Sequence, residues 1–484
     1  MRRPTTPGTA QRSHSGVIAP GVAVPDVDPR VREHRALRVG DGELQGDATV
    51  VGADPAVVAG NSIHGGGRGN MPLMAADPLD ASAGVPYDLL ADLRAQCPVS
   101  RTTSGAYFLA GHDDVLAATK DVAVFQASFR ASGVVVPPEE QLISEIPEPR
   151  HGKIRRIINS AIAQHRIGRV EPFVRELCNE LLDPLIMRGH GDLVAEYVTP
   201  IPATVIAHLL GVDAADHARF AEWSDLVVQS AYATKNRRED GADGEGLPGV
   251  APEFTAYLDE MIAERKGSAD PPDDFVTRLI STSVDGEQLT DVEMRTQLAF
   301  LLMSGNETTR HLIANMLETV CIDAALLSRL RAERGLVPTV LEESLRHDPP
   351  IHVLMRDCLE EVTIEGVTIP AGAKVGFGLA SANRDARTYE NPDEFRLDRP
   401  SAKDHLAFGG GPHVCPGASL ARLEGRIALE VFLDRVDEAS VDEPYRREPV
   451  PVFWANGPRR LPVTLTGGTK EVERSFEGRD TECI

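Results

Sequence analysis

The chain has 484 residues, 42% hydrophobic but only 5% aromatic, and sets 50 Lys and Arg against 73 Asp and Glu for a formal charge of −23. That length suits one large domain or two ordinary ones, and the acidic balance excludes a chain-wide binder of nucleic acid or anionic membrane, since both are polyanions. No apolar run approaches the roughly 20 residues of a membrane span, and the N-terminal MRRPTTPGTAQRSHSG has no apolar signal-peptide core.

In chain order, residues 1–70 are rich in Gly, Pro and Ala and cannot bury enough apolar surface to offset their ordering entropy, so a disordered N-terminal extension is expected. Met71 opens an ordinary domain start, MPLMAADPLDASAGVPYDLLADLR, and is the expected translation start. A single domain is expected over 71–466. To about residue 350 its pattern is helical, with apolar residues three and four apart in VEPFVRELCNELLDPLI and TPIPATVIAHLLGV. The polar stretch 234–249 reads as a mobile loop. Thr290 and Glu293 form a capping box that opens a helix running to Cys321, apolar nearly all round between Leu298 and Met303 and therefore buried. Into it fall Ser304-Gly305-Asn306-Glu307-Thr308-Thr309, where a carboxylate and hydroxyls are costly unless they hydrogen-bond locally or do chemistry. The residues alone leave both readings open: Thr308 back-bonded with Glu307 solvated, or both in a reaction.

Strand signals come late, in VTIEGVTIPAGAKVGFGLA, with turns at Glu365-Gly366 and Pro370-Ala371-Gly372. Helices followed by segregated strands argue for an α+β, mostly α architecture rather than a doubly wound sheet. A flexible tail is expected over 467–484. Six cysteines, Cys97, Cys178, Cys321, Cys358, Cys415 and Cys483, lack paired spacing and read as reduced thiols of a cytoplasmic protein. Cys415 stands apart, in LAFGGGPHVCPGASLARLE: glycines allow close backbone approach to a flat partner, and prolines stiffen the loop. A cysteine just before a helix N-terminus favours thiolate, and a lone thiolate suits an axial metal ligand better than zinc or a disulfide.

Phe408-Gly409-x-Gly411-x-His413-x-Cys415-x-Gly417 resembles the haem-binding loop of the cytochrome P450 family. Pro416, after the Cys, departs from the residue commonest in bacterial members. The stretch Ser304 to Thr308 is similar to the family's oxygen-activation motif, with Ser304 where Ala is usual, Gly305 opening the groove, Glu307 as the acid and Thr308 as the alcohol. Glu343-x-x-Arg346, some 70 residues before the Cys, matches the family's Glu-x-x-Arg. The spacing itself also fits a surface ion pair. The match covers residues from about 72 to 466.

The resemblance implies a single triangular domain with a long central helix, a Cys-ligand loop and small sheets, holding haem b on Cys415 and using O2. It implies a soluble bacterial-type monooxygenase that hydroxylates or epoxidises a lipophilic terpenoid, steroid or polyketide. Glu307 and Thr308 would relay protons. His151, Arg155, Arg356 and His413 would anchor the haem propionates, with Phe408, Gly409 and Gly417 shaping the loop. Glu343, Arg346 and Arg399 would form a buried structural network. Pro147-Glu148-Pro149 stands where Pro-Pro usually precedes the His. Asn456-Gly457-Pro458 looks like a substrate-facing hairpin. Electrons are expected from a separate ferredoxin and ferredoxin reductase, docking on a basic patch of Arg150, Lys153, Arg156, Arg422 and Arg426. Substrate determinants are expected in 126–145, 214–258, 300–307 and 350–354, with Val134, Val135, Val136, Leu301, Ile351, Val353 and Leu354 as apolar candidates. Peroxide-driven or rearrangement chemistry, and a non-catalytic haem-thiolate sensor, are the alternatives; intact Glu307 and Thr308 argue against the first.

Overall fold

In the computed structural model, Thr290 caps the long helix as the sequence predicts. Its hydroxyl accepts the Glu293 N–H at 3.2 Å, and the Glu293 carboxylate accepts the Thr290 N–H at 2.8 Å. The central helix then runs Asp291–Ile322, 32 residues, about 48 Å at 1.5 Å per residue. The structure describes residues 77–127, 137–162, 167–232, 251–400 and 402–468. The expectations for 1–70, Met71, the loop at 234–249, Val134 to Val136 and the tail beyond Gly468 lie outside them.

The central helix is apolar because it threads two cores. Its first half packs Leu298, Ala299, Leu302 and Met303 among helices Arg150–Ala161, Pro200–Leu210, Pro252–Gly267 and Phe275–Ser281. Its second half packs Leu312, Met316, Leu317 and Val320 against helices Glu171–Arg188, Val337–His347 and Ala418–Arg435. At its end Asp323 accepts the N–H groups of Ala325 and Leu326, both at 3.0 Å, and turns the chain into helix Ala324–Ala332.

The strands are less segregated than the sequence suggests. β1 (Val99–Arg101), β2 (Tyr107–Leu109) and β3 (Phe125–Ala127) join β5 (Leu354–Cys358) and β8 (Lys374–Phe377) in a five-stranded sheet of order β1-β2-β8-β5-β3. Each early strand has three residues, too few for an alternation to register. β4 (His190–Asp192) likewise pairs with β10 (Pro462–Gly467), which also pairs β9 (Val436–Val441). The expected turn at Glu365-Gly366 joins β6 (Val362–Ile364) to β7 (Val367–Ile369), with φ of 47° and 76°. Leu379 and Ala380, at the end of the expected strand stretch, instead open a short helix, Leu379–Ala382. Among the described residues no single helix is long and apolar enough to cross a membrane.

Candidate active site

The cysteine loop is closed from within, by the Cys415 N–H donating to the Phe408 carbonyl at 2.9 Å. Gly411 has φ +62°, and a Cβ there would lie 2.3 Å from the Thr119 carbonyl oxygen. Glycine therefore lets the loop lie against the backbone of helix His112–Lys120. The N–H groups of Gly417 and Ala418 point at the Cys415 thiol, and Arg155 and Arg422 add positive charge. Enclosure of the sulfur by the surrounding loop pushes the thiol up against these, while the residue itself opens onto the cavity and is exposed there. A coordinated metal ion deprotonates a thiol outright.

Cys415 faces a cavity of about 910 Å³. Gly305, Glu307, Thr308, His151, Arg155, Arg356, Phe408, Gly409, His413 and Gly417 all line it. The two motifs, about a hundred residues apart in the chain, thus share one space. Glu343, Arg346 and Arg399 lie elsewhere. Glu343 and Arg346 are fully buried and paired at 2.7 Å, and Arg399 meets the same carboxylate at 3.2 Å.

On the central helix, a Cβ at Gly305 would meet Ile206 Cδ1 at 2.5 Å, so glycine here admits helix Pro200–Leu210. Thr308 Oγ1 donates to the Ser304 carbonyl at 2.7 Å. Glu307 is not solvated: it is 2% exposed, accepts from His311 Nε2 at 2.9 Å and lies 2.5 Å from Arg310 Nη2. Burial pushes its carboxyl up, but the His311 bond and the Arg310 charge prevail and hold it at about 2. Arg310 and His311 escaped the sequence reading, although their spacing of three and four after Glu307 was a signal.

His151 also lines the cavity, its Nδ1 hydrogen-bonded to Glu148 Oε1 at 2.9 Å, which accounts for the acid in Pro147-Glu148-Pro149. His151 Nε2 is buried with no partner. Its ring lies over that of His413, centroids 4.1 Å apart. Burial, then His151 and the arginines, lower the His413 imidazole to about 4. Arg356 is 7% exposed, its side chain bonded to the Met355 carbonyl at 2.8 Å with no carboxylate partner among the described residues, and burial lowers it to about 10. Arg155 donates to the Val414 carbonyl. A buried cation without a counter-ion and an orphaned imidazole nitrogen call for an anionic occupant. A flat macrocycle with two carboxylates, its metal held by Cys415, would fit these residues. Glu424, missed in the sequence, also borders the cavity; burial pushes its carboxyl up to about 8.

Two surface expectations change. Each cation of the basic patch meets a carboxylate: Arg150 meets Glu293, Lys153 Glu287, Arg156 Asp285, Arg422 Glu342 and Arg426 both Glu171 and Glu430. The turn Asn456-Gly457-Pro458 packs on the central helix, where Asn456 O accepts from Asn315 at 2.9 Å. Phe453 and Trp454, just before it, face the cavity instead.

The family model Cytochrome P450 matches residues 241–438. The chain is 34% identical to erythromycin C-12 hydroxylase of Saccharopolyspora erythraea over 378 residues, 78% of this chain and 93% of that enzyme. It is 32% identical to cyclomarin C epoxidase CymV of Salinispora arenicola, covering 78% and 95%. The solved structure of cytochrome P450 CYP109Q5 from Chondromyces apiculatus superposes with a TM-score of 0.71 at 33% identity, covering 79% of this chain and 96% of that one. With Cys415, the cations Arg155 and Arg356, Glu307 and Thr308 around one cavity, the chain belongs to the cytochrome P450 family, as a haem-thiolate monooxygenase of the bacterial type that carries haem b and uses O2.

Proposed function

We propose that this enzyme inserts oxygen into a bulky lipophilic molecule of polyketide or macrolide type. The observation that carries this is the mixed lining of the cavity: besides Cys415 and the cations Arg155 and Arg356, it has a broad apolar wall that includes Ile206, Phe300, Leu301, Ile351, Val353 and Leu354. Such a wall binds by burying apolar surface and excludes water from the reacting centre. Leu301, Ile351, Val353 and Leu354 were among the apolar candidates in the sequence. The relatives hydroxylating erythromycin and epoxidising cyclomarin C support a substrate of that size.

Haem b, when bound, supplies the activation of dioxygen. Cys415 would ligate its iron, Arg155, Arg356, His151 and His413 would hold its carboxylates, and Phe408, Gly409 and Gly417 would shape the loop around it. Glu307 and Thr308 deliver protons at the cavity edge, Thr308 through the hydroxyl it now bonds to Ser304 O. Glu343, Arg346 and Arg399 hold the scaffold. Bacterial members of the family typically take electrons from a ferredoxin and its reductase, and we assign the same kind of donor here. The neutralised patch means that docking relies on ion pairs exchanging partners rather than on bare positive charge.

Titrating ferric holoenzyme with macrolides, macrolactones and steroids, and following displacement of water from the iron, tests the substrate class. Turnover of the best binder with NADPH and a surrogate ferredoxin pair is expected to give an oxygenated product. A response to steroids alone overturns the substrate assignment; product from peroxide but none from NADPH overturns the donor.

A further inference from the structure

Glu307 is enclosed, and the two side chains that touch it differ in one respect. Arg310 never releases a proton near neutrality, whereas an imidazole does. Of the groups bonded to the buried side of Glu307, His311 is therefore the one able to hand it a proton. His311 is itself 2% exposed, and its Nε2 lies 2.9 Å from Glu307 Oε1. Nδ1, the other ring nitrogen, faces the Asn456-Gly457-Pro458 turn, where a Cβ on Gly457 would fall 2.3 Å from it. Glycine at that point is what gives the imidazole its space.

The helix face continues outward from His311 as Asn315 and Glu318, at successive turns of an otherwise apolar stretch, both 5% exposed or less. Arg447 reaches Asn315 Oδ1 at 2.8 Å and also pairs with Glu318, while Tyr445 donates to Glu318 Oε1 at 2.6 Å. Arg447 is 30% exposed at its side chain, so this polar face runs from the cavity to the protein's edge. Asn315 also donates to the Asp348 and Asn456 carbonyls at 2.9 Å, so this buried polar face is satisfied along its length. The charged groups facing His311 are Glu307 and Arg310 on its own helix and Arg447 from the segment before β10; burial lowers its proton affinity, Glu307 opposes this, and Arg310 and Arg447 lower it further.

We propose that His311 is a positioning and relay residue that acts through Glu307, passing protons from the polar face behind it to the carboxylate at the cavity edge. This rests on the reading of Glu307 as the acid of the oxygen-activation pair. In each cycle Nδ1 takes a proton from solvent water admitted beside the Gly457 turn as Nε2 gives its own to Glu307 Oε1, so the imidazole ends neutral and the water is left as hydroxide to be neutralised by bulk solvent. A change of tautomer resets it.

Holoenzyme reducing dioxygen with NADPH through a surrogate ferredoxin and reductase, without organic substrate, tests this. His311→Gln keeps a donor within reach of Glu307 but has no second basic nitrogen. It is expected to slow NADPH consumption about tenfold to a hundredfold, to raise the solvent deuterium isotope effect, and to leave the melting temperature near wild type. Glu307→Gln is expected to slow it comparably, and the double variant no further, because the two act as a unit. Gly457→Ala, which crowds the imidazole from behind without touching Glu307, is expected to reproduce part of the loss. In the 15N-histidine spectrum of the carbon monoxide-bound ferrous protein, the signal absent from His311→Gln should titrate below the ordinary imidazole value and fall further in Glu307→Gln. His311→Gln at wild-type rate and isotope effect while Glu307→Gln is slow overturns the relay alone. A wild-type rate for Glu307→Gln overturns the reading of Glu307 and the relay with it.

Discussion

Replacing Arg346 by Met removes the centre of the buried Glu343-Arg346-Arg399 network and should be among the most destabilising single changes outside the cavity. Arg346 is fully buried and makes five hydrogen bonds: two to Glu343, at 2.7 and 2.8 Å, and one each to the carbonyls of Asn383, Pro392 and Glu394 at 2.9, 2.7 and 3.0 Å. Its guanidinium also lies 5.4 Å from the centre of the Tyr389 ring. Breaking a buried pair by removing one partner costs about 3–5 kcal/mol. Carbonyls left without a donor add roughly 1–3 kcal/mol each; Glu394 O keeps Arg399 at 3.1 Å, and Glu343 keeps Arg399 and the Arg396 N–H, so relaxation recovers part. We expect a loss of about 5 kcal/mol, a large share of the roughly 5–15 kcal/mol that holds a domain folded. At about 1–2 °C per kcal/mol for a domain of this size, the melting temperature falls by about 5–10 °C. Arg329→Met is the control, because its ion pair with Glu333 has the same charges in helical register but is 52% and 58% exposed; such pairs contribute about 0–1 kcal/mol. Thermal melts by circular dichroism of both variants decide the matter. Equal shifts for Arg346→Met and Arg329→Met would refute the reasoning, since burial would then have made no difference.

Glu424→Gln tests the buried acid beside the cavity. Its folded proton affinity is raised from 4.5 to about 8, so the folded state binds more protons than the unfolded one between those values and wild-type stability falls as pH rises across that window. The glutamine variant should escape this fall, overtaking wild type by on the order of a few kcal/mol near pH 7–8 and converging with it near pH 4.5; parallel stability curves would show the acid to be solvated. Glu342 has the opposite sign: burial raises its carboxyl, but His405, 3.3 Å away, and the paired Arg422 guanidinium outweigh this and hold it at about 2 against an ordinary 4.5. The stability it contributes is complete above about pH 4.5 and is lost as pH falls toward 2, so Glu342→Gln should melt lower at pH 7 and show a flatter acid limb in melts at stepped pH. Arg356→Leu should lose haem to an apomyoglobin acceptor about ten- to a hundredfold faster. The haem-free variant should melt no lower than haem-free wild type, because an unpaired buried charge has been removed. Unchanged haem transfer would remove Arg356 from the anchoring set.

What the amino-acid order by itself determined is what lies within a few residues along one element. The Phe408-to-Gly417 loop was legible because glycines and prolines impose local backbone geometry. The Thr290 cap, the buried central helix and the pairing of Glu343 with Arg346 follow from helical spacing, and the turn at Glu365-Gly366 from its own residue types. Tertiary structure decided whatever depends on a neighbour from far along the chain. Strands β1 to β3 exist because β5 and β8 lie beside them, three residues being too few to declare themselves. The five expected patch cations are neutralised by carboxylates such as Glu293 and Glu342, which only folding brings near. The helical spacing of Glu307 and His311 was written in the sequence, but not that both would be sealed from water, nor that Gly457 would close behind the imidazole. Burial and electrostatic environment are properties of the surrounding packing, and it is they that turn a pattern of side chains into proton affinities and a site.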